Sequence, residues 1–230
     1  MRHYTMIKRH IPNFLTCCNL VCGCLGIVFV TNGNLNAGAY FVWIACAFDF
    51  FDGFAARMLK VSSPIGKELD SLADMVSFGL LPSMVMYVML RDATASEYLP
   101  YFAFSIAVFS ALRLAIFNID ETQSDSFRGL PTPANALFIT SLPLLTGTVA
   151  IALFEPWIVG AIVIISSYLL VSGIPLFALK FKNFSWGENK VRFTFLILSV
   201  LLVVALKISA IPLIILLYVA LSLGVKAVSK

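Results

Sequence analysis

Four aspartates, Asp49, Asp52, Asp70 and Asp74, fall within a stretch of 26 residues. The first two are three apart and the last two four apart, so on helices each pair shares a face. Between the pairs, Ser62, Ser63, Pro64 and Gly66 read as a turn. The spacing predicts a helical hairpin that aims four carboxylates at one point. Carboxylates that close repel one another unless cations sit among them. An all-oxygen set favours hard ions such as Mg²⁺ or Mn²⁺ and leaves positions open for phosphate oxygens. Two such ions, roughly 3.5–4 Å apart, can clamp both sides of a phosphoryl displacement.

Within that chemistry Asp49, Asp52 and Asp70 are candidate metal ligands. Asp74 is a candidate shared ligand or a general base. Gly53 and Ala56 remove side-chain bulk from the same helix face, which lets a nucleotide diphosphate lie close to the backbone. Arg57 follows one turn after Gly53 and can grip phosphate with a planar fork of donors. Gly66 leaves room at the turn or permits a positive φ angle. A small-residue helix contact explains Gly53 and Ala56 almost as well, but it explains neither the aspartates nor Arg57.

The surroundings of these acids are apolar. Of 230 residues, 60 % are hydrophobic and only 12 % charged, with a mean hydropathy of +0.95. A soluble domain could not hide that much apolar sequence. The expected architecture is all-α, a polytopic membrane helix bundle forming one domain over residues 1–230. Residues 1–12 read as a basic cytosolic tail, since no small-residue cleavage site follows them. Apolar segments run over about 13–31, 37–59, 69–90, 98–118, 133–153, 156–180, 191–206 and 208–226. That makes six core spans and a C-terminal pair, eight in total, with 191–226 forming a tight hairpin or one broken element. All five cysteines lie in apolar runs, and no zinc spacing follows Cys22 and Cys24, so they read as packing thiols. The net charge of +4 is modest. Membrane lipid is the expected surrounding, and no nucleic-acid partner is expected.

Basic residues orient the bundle. With the N-terminus inside, fourteen of the sixteen Lys and Arg residues fall on the cytosolic side, leaving only Arg91 and Lys207 outside. Both termini and the acidic turn are then cytosolic, in the cytoplasmic membrane. Asp49 lies ten residues before the end of its helix, or ~15 Å along the axis, so that helix projects from the bilayer or Asp49 lines a wet cavity. Such a site reaches a lipid head group while the tails stay in the membrane. Two further stretches face the same side: ALRLAIFNID with Arg113 and Asn118, and FRGLPTPAN with Arg128. Pro131 and Pro133 set extended backbone before a helix, with Thr132 as a plausible cap. Arg113, Asn118 and Arg128 are the candidate acceptor-binding residues.

The acidic stretch resembles the signature of the CDP-alcohol phosphotransferase family at every specified position: Asp49, Asp52, Gly53, Ala56, Arg57, Gly66, Asp70 and Asp74. The resemblance implies transfer of a substituted phosphate from a CDP-linked donor to an alcohol, with release of CMP. It assigns Asp49, Asp52 and Asp70 to two divalent cations, and Asp74 to a metal and to the role of general base. It assigns Gly53, Ala56, Arg57 and Gly66 to the nucleotide and diphosphate. It also implies a homodimer. IPNFLTCCNLVCGCLGI, SSPIGKELDSLADMVSFGLLP, ALRLAIFN and FRGLPTPAN are similar to the branch whose substrates are CDP-diacylglycerol and L-serine. One departure is Ile116, where that branch implies a second arginine; Arg113 or Arg128 must then hold the serine carboxylate. Glycerol phosphate or inositol phosphate as acceptor, and a divalent-cation carrier using the same aspartates, remain alternatives.

Overall fold

The structure is a computed structural model that describes residues 2–61, 63–120, 126–153, 155–177, 179 and 185–228. Ser62 of the expected turn, and Lys180, Lys182 and Lys230 of the charge argument, lie outside the described residues. The chain is a bundle of helices, and five helical stretches are long and apolar enough to cross a membrane. It is an integral membrane protein of all-α class.

Helix α1 spans Arg2–Thr31 and carries Pro12 inside it. The basic tail is therefore part of this helix, and at ~1.5 Å per residue its thirty residues reach ~45 Å, beyond the ~30 Å of hydrocarbon. Helix α2 (Leu35–Leu59) starts at Asn34, whose side chain accepts a hydrogen bond from the Ala37 amide at 3.2 Å. The third span runs from Pro64 to Ala93 as α3 (Pro64–Asp74), a π-helical turn (Met75–Leu80) and α4 (Leu81–Ala93). Pro82 has no amide hydrogen to return to the preceding turn, and the wide turn lies directly before it. This third span is the axis of the bundle: 61 % of its apolar window is buried, against 11 % for the C-terminal pair. Phe78, Leu81, Met86 and Met89 on it are fully buried.

Helix α1 approaches this axis through glycines. A Cβ on Gly23 would stand 2.5 Å from Ser77 Oγ, and one on Gly26 would stand 2.6 Å from a Leu81 methyl. Small residues let two backbones close to this distance inside a membrane. The fourth span continues from a 3₁₀ turn (Leu99–Phe104) into α5 (Ser105–Ile119).

The expected fifth and sixth segments come out shorter. The fifth divides into α6 (Thr132–Ser141), a 3₁₀ turn (Leu142–Leu144) and α7 (Thr148–Leu153). Pro143 lies in that turn and Gly147 takes a φ of +77°, so the helix cannot run through. Thr132 is the first residue of α6 and not its cap; Pro131, with ψ 141°, occupies the cap position and makes no side-chain bond there. The sixth, α8 (Pro156–Val171), stops nine residues short of position 180. Past it, strand β2 (Pro175–Phe177) pairs antiparallel with β1 (Ser126–Arg128), the one strand ladder among the described residues. Helices α9 (Trp186–Leu206) and α10 (Ala210–Val228) fold back on one another: the Phe195 and Tyr218 rings are 5.8 Å apart. A single helix would separate residues 23 positions apart by ~35 Å. The reversal occurs at Lys207, with φ 52° and ψ −127°.

Candidate active site

The acids are positioned by the tight reversal between α2 and α3. Helix α2 ends on Lys60 in the left-handed conformation (φ 52°), its amide donating to the carbonyls of Ala56 and Arg57. Helix α3 begins on Ser63, whose Oγ accepts from the Gly66 amide at 2.9 Å, with Pro64 in the first turn. Of the two readings of Gly66, room or a positive φ, the positive φ falls on Lys60 instead. What Gly66 supplies is room: a Cβ there would stand 3.0 Å from both Asn13 Oδ1 and Ser63 Oγ.

Three of the four carboxylates converge. Asp49, Asp70 and Asp74 each present an oxygen, and those atoms lie within 4.8 Å of one another. Asp52 does not join this trio. Three residues along a helix leave it ~60° off Asp49's direction and ~4.5 Å further along the axis. Its Oδ2 instead accepts a 2.6 Å hydrogen bond from Thr16 Oγ1. An all-carboxylate trio, without His or Cys, is a donor set suited to a hard divalent cation.

Two cavities meet at Asp70. One, of about 210 Å³, is lined by Asp52, Gly53, Ala56, Gly66, Lys67 and Asp70 together with Pro12, Asn13 and Thr16 of α1. The other, of about 300 Å³, is lined by Asp49, Asp70, Ser71 and Asp74, by Arg113, Leu114, Phe117 and Asn118 of α5, and by Pro131, Thr132 and Pro133. Asp70 lines both, so Gly53, Ala56 and Gly66 of the nucleotide-side set and Arg113 and Asn118 of the acceptor-side set line different chambers with one shared carboxylate. Arg57 is exposed, and its guanidinium folds back to 3.4 Å from where a Gly53 Cβ would stand.

The acceptor candidates separate. Arg113 is buried on the wall of the second chamber, and its Nη1 donates to the Arg128 carbonyl at 2.6 Å and the Leu170 carbonyl at 3.2 Å. Asn118 is on the same wall; its Nδ2 donates to Ser71 Oγ at 2.8 Å, and its backbone carbonyl accepts from Lys67 Nζ at 2.9 Å. Arg128 contributes its backbone, while its side chain is exposed and does not line the chamber. Ile116 is 47 % exposed and also lies off the wall. Gly129 explains why the loop sits where it does. Its φ is +75°, its amide donates to the Ile174 carbonyl at 2.9 Å, and a Cβ would stand 2.6 Å from the Leu170 carbonyl. The loop and Arg113 together cover the carbonyl end of α8, where a cation also meets a favourable helix dipole.

A stripe on α1 was not singled out from sequence. Asn13, Thr16 and Asn19 recur every third residue in the apolar stretch of α1 past the basic tail and so share a face. Asn19 is fully buried, donates its Nδ2 to Asp74 Oδ1 at 3.1 Å, and receives the Ser77 hydroxyl on its backbone carbonyl at 2.9 Å. The signal available was this spacing of polar groups within a span.

Comparison with known proteins agrees with the geometry. The chain is 34 % identical over 179 residues to the CDP-diacylglycerol–serine O-phosphatidyltransferase of Bacillus subtilis, covering 76 % of this chain and 91 % of that one. It is 33 % identical over 136 residues to the Helicobacter pylori protein of the same name, covering 58 % and 57 %. It is 32 % identical over 168 residues to the archaetidylserine synthase of Methanothermobacter thermautotrophicus, covering 71 % and 68 %. The family model described as CDP-alcohol phosphatidyltransferase matches residues 9–171, which hold both chambers and every carboxylate of the site, and the chain belongs to that family.

Proposed function

We propose that the protein transfers a phosphatidyl group from CDP-diacylglycerol to the hydroxyl of L-serine and releases CMP. The observation that carries this reading is Asp70 standing between two chambers, one bounded by small residues and the other by Arg113 and Asn118. The nucleotide end of the donor lies in the first chamber, against Gly53, Ala56 and Gly66, and Arg57 grips the diphosphate from the chamber mouth. Serine lies in the second, its carboxylate held by Arg113.

Asp49, Asp70 and Asp74 are the residues that would hold one divalent cation, and Asp52 with Asp70 a second. When bound, such ions, Mg²⁺ or Mn²⁺, neutralise charge on the diphosphate and on the leaving oxygen. The chain's own groups do the rest. Asp74 accepts the proton of the serine hydroxyl as its oxygen bonds to the lipid-side phosphorus, and the bond from that phosphorus to the CMP oxygen breaks. Asn19 fixes one Asp74 oxygen, leaving the other for this task. Thr16 holds Asp52 in its rotamer. The bias of basic residues supports a site at the cytosolic face with both termini on that side.

Arg113 is the cation on the acceptor chamber's wall, which suits a zwitterion better than an acceptor that carries a phosphate. The deciding experiment measures CMP release from CDP-diacylglycerol with L-serine, glycerol phosphate, inositol and inositol phosphate in parallel. Release that depends on L-serine supports the assignment. Equal or greater release with a phosphate-bearing acceptor rejects it.

A further inference from the structure

Helices α9 and α10 lie outside residues 9–171, the part matched by the family, and yet they reach toward the acceptor chamber. They do so through a second core. Leu130, Leu176, Phe195 and Tyr218 form a buried cluster separate from the main one. Leu130 belongs to the loop that leads into α6, Leu176 to β2, Phe195 to α9 and Tyr218 to α10. The Phe177 ring meets Tyr218 at 4.9 Å and Phe195 at 5.8 Å, both edge to face. The contact is also polar: the Tyr218 hydroxyl donates to the Phe177 carbonyl at 2.9 Å.

From there a continuous set of bonds leads to Arg113. Strand β2 pairs with β1 so that Pro175 stands opposite Arg128. The amides of Gly129 and Leu130 donate to the Ile174 and Leu169 carbonyls at 2.9 and 2.8 Å. This ladder fixes the Arg128 carbonyl, and the end of α8 supplies the Leu170 carbonyl; both accept from Arg113 Nη1. A guanidinium carries five N–H donors in a rigid plane, and these two bonds engage both hydrogens of Nη1. The donors that remain for a carboxylate are Nε and Nη2, and their direction follows from where the two carbonyls stand. Arg113 is buried on the chamber wall, whereas Tyr218 does not line the chamber.

We infer that Tyr218 is a positioning residue for the acceptor, its hydroxyl holding β2 so that Arg113 aims its remaining donors at the carboxylate of L-serine. The inference deepens the transferase reading above and rests on Arg113 as the cation that meets the acceptor. It gives the C-terminal pair a task, since α10 then sets acceptor affinity from outside the chamber. The hydroxyl matters more than the ring for this purpose. The rings supply burial, which tolerates small shifts, whereas hydrogen bonds weaken steeply once their angle is lost. Without the Tyr218 bond the strand can slide against its neighbours, and the Arg128 carbonyl moves with it.

The test is Tyr218→Phe, which keeps the ring in its cluster and removes only the donor. The full chain is assayed for CMP release in detergent or nanodiscs, varying L-serine at saturating CDP-dioleoylglycerol and then the reverse. The KM for L-serine should rise on the order of three- to tenfold, with kcat and the KM for the lipid donor within about twofold of wild type. Leu216→Ala, on the exposed face of the same helix, should leave all three constants at wild type. A lower melting temperature with an unchanged serine KM makes Tyr218 purely structural and overturns the inference. An equal rise in both KM values, or an equal serine effect at Leu216, overturns it as well. A second measurement covers the case in which Tyr218→Phe does not fold. Coupling is reciprocal, so if the ladder orders Arg113 for serine, bound serine must order the ladder. In the wild type with Mn²⁺ and CMP, added L-serine should slow amide hydrogen exchange at Gly129 and Leu130, and unchanged exchange overturns the inference. Failure of the underlying reading looks different: wild type then releases no CMP on adding L-serine, or Arg113→Lys leaves the serine KM at its wild-type value.

Discussion

Asn19 and Asp74 are 55 residues apart in sequence, yet the Asn19 amide donates to an Asp74 oxygen at 3.1 Å inside the bundle. The backbone carbonyl of Asn19 accepts from the Ser77 hydroxyl, and Ser77 can come so close because Gly23 carries no side chain. A helix that contributes no acid therefore sets the orientation of the carboxylate proposed as the base. Asn19→Leu keeps the volume and removes the donor. A hydrogen bond to a charged group is worth ~1.5–3 kcal/mol, so kcat should fall on the order of 10–100-fold. The KM for CDP-diacylglycerol should change little, and a steady-state fit separates the two. A rise in KM with kcat intact would mean that Asn19 serves donor binding.

The shared position of Asp70 ranks the acids. Asp70→Asn should abolish CMP release and weaken Mn²⁺ binding more than Asp52→Asn does, because Asp70 borders both chambers and Asp52 only one. Calorimetric or paramagnetic Mn²⁺ titration of each variant provides the comparison. Equal losses would argue against the shared role.

Removing divalent cations with a chelator should stop CMP release, and adding Mg²⁺ or Mn²⁺ should restore it. Three carboxylate oxygens within 4.8 Å cannot receive a diphosphate without intervening positive charge. Full turnover in metal-free buffer would sink the account of the acidic cluster.

Arg113 has two duties, and they can be told apart. Its Nη1 ties the Arg128 and Leu170 carbonyls, a task that the single ammonium of lysine meets poorly. Arg113→Lys should lower thermal stability, consistent with a loss of ~1–3 kcal/mol, and should also raise the KM for L-serine. Arg128→Lys, at an exposed side chain off the chamber wall, should leave that KM close to wild type. A larger serine effect at Arg128 would transfer the acceptor contact to it.

Gly129→Ala should damage the same loop by a different route. It puts a methyl 2.6 Å from the Leu170 carbonyl at a φ of +75°, so both sterics and backbone oppose it. The melting temperature in detergent should drop by several degrees, as a loss of ~1–2 kcal/mol gives in a chain of this size. Gly147→Ala, where φ is also positive but nothing lies within 4 Å, should cost less.

Much of this was legible in the residues alone. Composition required a membrane bundle, since apolar sequence at this density has no other place to go. The Asp49–Asp74 spacing required a helical hairpin presenting acids, because three- and four-residue intervals share a helix face whatever surrounds them. Local punctuation, however, is weak against tertiary contacts. Pro143 and Gly147 broke an apolar run that reads as one span, and α8 gave way to a strand once β1 was there to pair with it. The convergence of the acids also needed the third dimension. Sequence spacing placed Asp52 with Asp49, but it could not show that Thr16 would hold Asp52 to one side, nor that Asp70 would stand between two chambers. The Thr16 and Asn19 contacts cross 36 and 55 residues and are set by how closely α1 packs on its neighbours, while the second chamber depends on where α5 and residues 131–133 come to rest; helical periodicity carries no information about either.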